Sequence, residues 1–599
     1  MSTTTEIKSG GLVTFSIKVA GSSISDIVEI QSVTIQNSVN RIAMAKIVIL
    51  DGDAASGGFK VSASDTFVPG NIISIEAGYD SSNDLVFKGI ITKQNIRIHG
   101  STGPTLEVEC RDESIRMIVG RKSVTYNEKT DSAIITSIIN TYSGVSADVT
   151  ATKTKWEEQV QYYATDWDFI LATAETNGMV VTTLNGKIGV FPPDKNKTAV
   201  LEIEYGNNLF EFNADLDAIT QLGTVGADSW DFKTQKVVNA KATNNYAGPG
   251  NLSSKELSEV VGLKEYQVQT TAPIATADLT NWSKAVLIKS EFSKIRGEVK
   301  FQGSNKVLPG KYITLGGLGD RFNGDYFVSG IEHAISEGNW VTEASLGLSP
   351  IWFTQEPDIM APPASGLLPG VQGLFNGTVK KIDEDPENQY RILVDIPLFD
   401  PNGQGIWARL VNFYSTSGAG AFFLPEIGDE VVLGFLNEDP RYPMILGSVY
   451  SSTKHKPYKA LTPNKKNTKK AIVSKTGIFI EFDDENKVFT IETPSKNTAI
   501  FDDKSKTITI KDEHKNSIEM SSKGITIKSD KNISIEAGQS LTLKGKQGVK
   551  IDGSPGDVTV KGTNIKQTAS AQFSAKGNAK AELSGGAQTT IKGAMVMIN

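Results

Sequence analysis

A short repeat dominates the end of this chain. Apolar pairs flank a single polar residue again and again: Ile508-Thr509-Ile510, Ile518-Glu519-Met520, Ile525-Thr526-Ile527, Ile533-Ser534-Ile535, Leu541-Thr542-Leu543, Val549-Lys550-Ile551 and Val558-Thr559-Val560. The beat returns after roughly eight residues, with Gly, Asn, Asp and Lys filling the gaps. Such alternation puts both apolar side chains on one face of a very short strand. Gly524, Gly538, Gly545, Gly548, Gly553 and Gly562 then allow a sharp corner before the next strand. A strand this short closes no dry core without neighbours above, below and beside it. The pattern therefore predicts a stiff rod of stacked strands. At about 4.8 Å per layer, some fifteen segments make a rod on the order of 70 Å.

In that rod Ile508, Ile510, Ile525, Ile527, Ile533, Ile535, Leu541, Leu543, Val549, Ile551, Val558 and Val560 are the expected core. Thr509, Thr526, Ser534, Thr542, Lys550 and Thr559 are expected to point out. From Ala569 onward the core positions shrink (Phe573, Ala575, Ala579, Ala581, Leu583), which reads as a taper. The closing Met595, Val596, Met597, Ile598 and Asn599 leave apolar ends and open strand edges, a docking place for a capping protein.

A chain of 599 residues suits three to five domains. Abundant Gly, aromatic and β-branched residues indicate a mainly β protein with a few helices. A formal charge of −7 argues against general nucleic-acid binding, which wants a basic patch. The single cysteine, Cys110, excludes an intrachain disulfide; in the alternating run Leu106–Cys110 it reads as a buried thiol. The N-terminus lacks the charged and apolar regions of a secretory signal, and no stretch of about 18 apolar residues is present.

Residues 1–360 read as mixed, mostly β. Two helices interrupt them: an isoleucine stripe (Ile134, Ile135, Ile138, Ile139) behind Asp131, and Asp166–Glu175 with Gly178 as the stop. Val68-Pro69-Gly70 leads into one strand–turn–strand unit, and Leu308-Pro309-Gly310 leads into another. This predicts an internal duplication and two related barrels. Prolines mark a linker at 361–370. Residues 371–450 read as a small closed barrel, with strands at Val379, Ile392–Ile396, Gly405–Arg409, Phe422–Leu424 and Glu430–Leu433. A Lys- and Asn-rich linker is expected at 451–475, and the needle at 476–599.

Catalytic chemistry finds little purchase. His99, His333, His455 and His514 lie in unrelated contexts, read as strand end, strand end, linker and needle turn. HExxH, GxSxG and Cys/His ligand clusters are absent. Gly316–Gly319 and Gly418–Gly420 lead into no helix and read as strand turns rather than phosphate cradles. Asp483-Asp484 and Asp502-Asp503 read as solvated turn acids. No catalytic residue, cofactor or metal ligand is expected.

The residues from Phe423 to Val432 (FLPEIGDEVV), then Asp439-Pro440-Arg441-Tyr442-Pro443 and Gly447 to Tyr450, with Trp407-Ala408-Arg409 upstream, resemble the barrel signature of the VgrG/phage tail-spike family. Cys110-Arg111-Asp112, Arg116, Arg121, Thr130-Asp131, Asp166–Phe169, Glu175 and Gly178 resemble its hub more loosely. The resemblance implies tandem tube-like β-barrels, an oligonucleotide/oligosaccharide-binding (OB-fold) barrel and an intertwined trimeric triangular β-helix. It implies a non-enzymatic homotrimeric spike of a contractile injection system, adapting a hexameric tube to a membrane-piercing needle. Its implied partners are inner-tube and baseplate proteins, a PAAR-repeat tip protein, cargo or effectors and, transiently, the target membrane. Such a spike is made in the bacterial cytoplasm without a signal peptide and released in its particle. With so short a 451–475 linker, the resemblance favours a bare spike like those of extracellular phage-tail-like particles or of some type VI secretion systems. The rival expectation is a phage tail-spike depolymerase or glycan-binding adhesin, which wants a groove with paired acids and aromatic platforms.

Overall fold

The computed structural model describes residues 11–55, 57–100, 103–231, 236–270, 274–355, 371–399, 404–451, 454–458, 461 and 463–598. The linker expected at 361–370 lies outside the described residues. The chain divides into two compact units, Met1–Val449 and Tyr450–Asn599.

The first unit is built on one 13-stranded sheet, six strands in each half and the two-residue strand Ser22–Ser23 at one edge. Its first half holds β1 (Val13–Val19), β2 (Ile30–Ser38), β3 (Met44–Leu50), β4 (Ile72–Tyr79), β5 (Ser82–His99) and β6 (Gly103–Arg111). These lie side by side in the order β1-β4-β5-β6-β3-β2. Alternation dictates the layering: Ile73, Ile75 and Ala77 of β4, with Ile47 and Ile49 of β3, face a core fully shut from water.

The second half holds β7 (Ala199–Glu204), β8 (Leu209–Leu216), β9 (Ile295–Gln302), β10 (Tyr312–Gly316), β11 (Gly324–Ser336) and β12 (Asn339–Leu346). Its neighbours run β7-β10-β11-β12-β9-β8, the same order shifted by six, around a second core of Ile203, Val299, Phe301 and Ile313. The two halves, each expected as a barrel, are instead joined edge to edge into this one sheet, where β11 pairs antiparallel with β2.

The duplication extends to single hydrogen bonds. Gly70 N–H donates to Ile91 O at 2.8 Å, and Gly310 N–H donates to Val328 O at 2.8 Å. Ile91 N–H returns to Asn71 O, as Val328 N–H returns to Lys311 O. Both glycines hold positive φ (106° and 86°), which explains the Pro-Gly opening of each unit. The long strands bulge at the same station, between Ile91 and Lys93 in β5 and between Val328 and Gly330 in β11. So do β2, between Ile30 and Ser32, and β8, between Leu209 and Glu211. One difference stands out: β1 runs antiparallel to β4, whereas β7 runs parallel to β10.

Helix α1 (Asp131–Ile139) and helix α2 (Asp166–Thr176) fall where the apolar stripes predict them. Thr130 and Thr165 cap them, each side-chain oxygen accepting a backbone N–H. Two further helices escape the sequence reading, α3 (Ser254–Ser258) and α4 (Thr276–Phe292).

Strands β13 (Phe375–Lys381), β14 (Ile392–Asp395), β15 (Ile406–Leu410), β16 (Glu430–Phe435) and β17 (Pro443–Ser448) close a barrel in the order β13-β14-β15-β17-β16. Val379, Ile392, Val394, Ala408, Val431, Leu433 and Ile445 fill it. The expected strand at Phe422–Leu424 is a correction: that segment is irregular, and the fifth strand is β17. Phe422 and Phe423 lie open to solvent, so alternation there has no sheet to serve.

In the second unit β18 (Lys469–Val473), β19 (Phe479–Asp483), β20 (Val488–Glu492), β21 (Thr498–Asp502), β22 (Thr507–Lys511), β23 (Ser517–Ser521) and β24 (Gly524–Lys528) form a seven-stranded antiparallel meander in chain order. Regular structure thus starts inside the stretch read as the 451–475 linker. Lys469 and Lys470 disguise the first strand, and their ammonium groups pair with Glu481 and Asp484 across the hairpin.

Candidate assembly surfaces

The meander keeps every apolar pair in one file. Across successive strands the register sets Ile472 opposite Ile480, Phe482 opposite Phe489, Phe489 opposite Phe501, and Phe501 opposite Ile508. It continues with Ile508 opposite Met520, Ile510 opposite Ile518, Met520 opposite Ile525, and Ile518 opposite Ile527. Odd and even positions of a strand point to opposite faces, so these side chains share one side of the sheet. Phe482, Phe489 and Phe501 form a run of rings with centroids 5.2 and 5.9 Å apart. The opposite side carries Glu481, Thr490, Ile500, Thr509, Glu519 and Thr526.

In the single chain the apolar side is uncovered: Phe501 is 46% exposed, Ile510 51% and Ile525 69%. Beyond Lys528 the chain continues without regular structure, broken by bends and turns, and with no strand pairing among the described residues. There Ile533, Ile535, Leu541, Leu543, Val549, Ile551, Val558 and Val560 are each more than half exposed. Met595, Val596, Met597 and Ile598 are exposed as well, and Asn599 lies outside the described residues.

The corners differ from the expectation. Of the six glycines read as hinges, Gly524 and Gly548 hold positive φ, at 117° and 143°; Gly538, Gly545, Gly553 and Gly562 do not. The earlier turns of the meander, ahead of Gly524, sit on lysines in the left-handed region, Lys487, Lys496, Lys506 and Lys515. Neighbouring carboxylates hold three of those turns: Asp483 accepts from Asn486, Asp502 from Ser505 and Asp512 from Asn516. The paired acids at 483–484 and 502–503 are turn-building groups to that extent.

The remaining polar candidates are dispersed. His333 is corrected from strand end to mid-strand: it lies within β11, buried, with Nδ1 2.8 Å from Thr342 Oγ1. Burial pushes its pKa down to about 4. His99 ends β5, and His514 sits exposed in a turn. Cys110 is buried on β6, its thiol pushed up to about 12 by desolvation. Among the described residues no group of three or more His, Cys, Asp or Glu is arranged to hold a metal ion. In the barrel, Arg441 grips Asp439 with two bonds of 3.0 and 2.6 Å, which fixes the Asp439-Pro440-Arg441-Tyr442 loop quoted in the resemblance.

Comparison with known proteins places this architecture. The family described as Alg8 N-terminal domain matches residues 9–337, and the family described as Type VI secretion system/phage-baseplate injector OB domain matches residues 375–450. The chain belongs to the VgrG/phage tail-spike family, with the Alg8 N-terminal domain as its first half. Two Pseudomonas aeruginosa proteins named Type VI secretion system spike protein are similar to it. VgrG1a is 24% identical, covering 55% of this chain and 54% of that protein. VgrG1b is 22% identical, covering 55% and 47%. The chain spans about half the length of these curated relatives. Among solved structures, the Escherichia coli c3393 protein, described as a type VI secretion system component, aligns over 72% of this chain and 99% of its own at 13% identity, with a TM-score of 0.37.

Proposed function

We propose that this chain is the structural, non-enzymatic central spike of a contractile injection system and works as a homotrimer. The observation that carries the reading is the unbroken apolar side of the seven-stranded meander, continued by the exposed pairs from Ile533 to Val560. Three copies around one axis turn those sides inward. Burying one such side chain stabilises by roughly 1.5–3 kcal/mol, and the repeat supplies many at once. The duplicated hub supports an adaptor role, since two equivalent units per chain let a threefold assembly offer six stations to a hexameric tube. The barrel acts as a collar, and the needle transmits the thrust of the contracting sheath to the target membrane. The spike is made in the bacterial cytoplasm and leaves with its particle. At the tip, Met595, Val596, Met597, Ile598 and Asn599 dock a PAAR-repeat protein, and baseplate and tube proteins seat on the hub.

Light scattering on the full chain tests the trimer. The expected mass is three times the 64.5 kDa of one chain, and a folded, soluble monomer overturns the proposal. Removing residues 594–599 should leave that mass unchanged while abolishing capture of the PAAR protein in a pull-down. Undiminished capture would move the docking site elsewhere.

A further inference from the structure

Residues 217–294 leave the hub sheet between β8 and β9, and Asp217 N–H donates to Lys294 O at 3.0 Å where the excursion closes. The Lys294 side chain turns back into this excursion and is 1% exposed. Its Nζ donates to three backbone carbonyls, Pro249 O at 2.6 Å, Leu252 O at 2.8 Å and Ala247 O. An ammonium carries three protons, and each finds a carbonyl here. The Tyr246 ring adds its face, its centroid 5.8 Å from Nζ. The Glu256 carboxylate acts on this charge through space, without a hydrogen bond. A buried charge with no counter-ion in contact is costly unless its hydrogen bonds are complete, and these are.

The loop is shaped for that charge. Gly248 and Gly250 hold positive φ, 63° and 78°, which lets carbonyls on either side of Pro249 converge. A Cβ at 248 would come within 2.5 Å of the Tyr246 ring and 3.1 Å of Lys294 Nζ, and one at 250 would meet Arg321 O at 2.3 Å. Polar groups support the cage from behind. Gln221, Asn244, Ser254 and Ser290 are all buried. Gln221 Nε2 donates to Ser290 O at 2.8 Å, Asn244 Nδ2 to Ser254 Oγ at 2.7 Å and Ser254 Oγ to Gln221 Oε1. Of residues 244–254, Tyr246 alone joins a hydrophobic cluster. Apolar packing therefore contributes little to holding this loop.

We propose that loop 244–254 is a primary-ammonium site, a cage of oriented carbonyls beneath an aromatic ring, which the chain fills with its own lysine. Lys294 stands where the ion stands in a metal-binding loop: the loop folds around the charge and is anchored by it to the start of β9. Selection is by direction as well as by charge. Three N–H groups on one nitrogen match three converging carbonyls, whereas a planar guanidinium spreads its donors in a fixed fork. Without the lysine the cage keeps its carbonyls and its ring, so it should take a small primary ammonium from solution. The inference is independent of the proposed spike function and concerns the hub of a single chain.

Chemical rescue in the full chain tests it. Lys294→Ala removes the atoms from Cγ to Nζ, and n-propylammonium supplies the same four. The readout is hydrogen exchange across 244–254, above all at Gly250 N–H, which donates to Asn323 O at 2.8 Å in the native chain. Exchange there should quicken by about tenfold or more in the variant, because buried carbonyls lose their partner. Amides of β11 and β12 should stay protected. Added n-propylammonium should restore the protection. Tetramethylammonium, charged but without N–H donors, should not, nor should 1-propanol, which has the size but no charge. Should Lys294→Ala not fold, soluble yield on refolding with and without n-propylammonium replaces the exchange readout. Native-like exchange in the variant, failure of n-propylammonium to rescue, or equal rescue by either control overturns the site.

Discussion

Trp340 lies so close over Gly303 that a Cβ at position 303 would meet its Cδ2 at 2.1 Å. Tyr79 stacks on the same ring at 5.6 Å and donates its hydroxyl to Gly303 O at 3.0 Å, which locks the contact from the other side. Neither ring has room to retreat, so Gly303→Ala should lower stability by about 1–3 kcal/mol in chemical denaturation of the hub signal. His333 sits against the edge of the same indole, 5.5 Å away. Its folded pKa of about 4 lies below the ordinary 6.5, so the folded state holds fewer protons than the unfolded one between those values. The stability it contributes is complete above pH 6.5 and is lost as pH falls toward 4. His333→Gln, which keeps a partner for Thr342, should flatten that slope when denaturation midpoints at pH 7 and pH 5 are compared.

At the scale of elements, the two sides of the needle sheet should respond oppositely. Ile510→Asp or Ile527→Asp places a charge among the apolar pairs and should prevent oligomer formation, whereas Thr509→Asp, on the reverse side, should leave the mass in solution unchanged. The period of the apolar pairs made this sheet legible, but not its start: charged Lys469 and Lys470 resemble a linker until Glu481 and Asp484 are found across the hairpin. Helices α1 and α2 were legible because a stripe and a cap coincide. The 17-residue α4 was not: it follows Ala275, which makes no side-chain cap bond, and polar residues interrupt its apolar face. Helix α3 carried a usable signal that was overlooked, the reciprocal Ser253–Glu256 capping box. The lysine corners at 487–515 were not legible, because a left-handed lysine has no composition mark as plain as glycine.

For the whole molecule, the paired Pro-Gly openings announced the duplication, yet the joining of both halves into one sheet depends on strands nearly three hundred residues apart in sequence, such as Gln36 and Glu332. In the proposed homotrimer the needle is interwound, and no single contact would release a chain. Its apparent melting temperature should therefore rise with heating rate in calorimetry, the mark of a barrier rather than an equilibrium. The change of character at Lys528 sets an order of events. Up to that point each strand pairs with a neighbour in its own chain, and past it no described residue belongs to a paired strand. In the proposed homotrimer the meander would thus be ready-made before the copies meet, and the remainder would wait for them. Growth from a preformed nucleus runs in one direction, toward the tip, with the first paired layer dictating alignment for all later ones. Pulse-labelled hydrogen exchange during assembly should find amides of 469–528 protected ahead of those of 529–598.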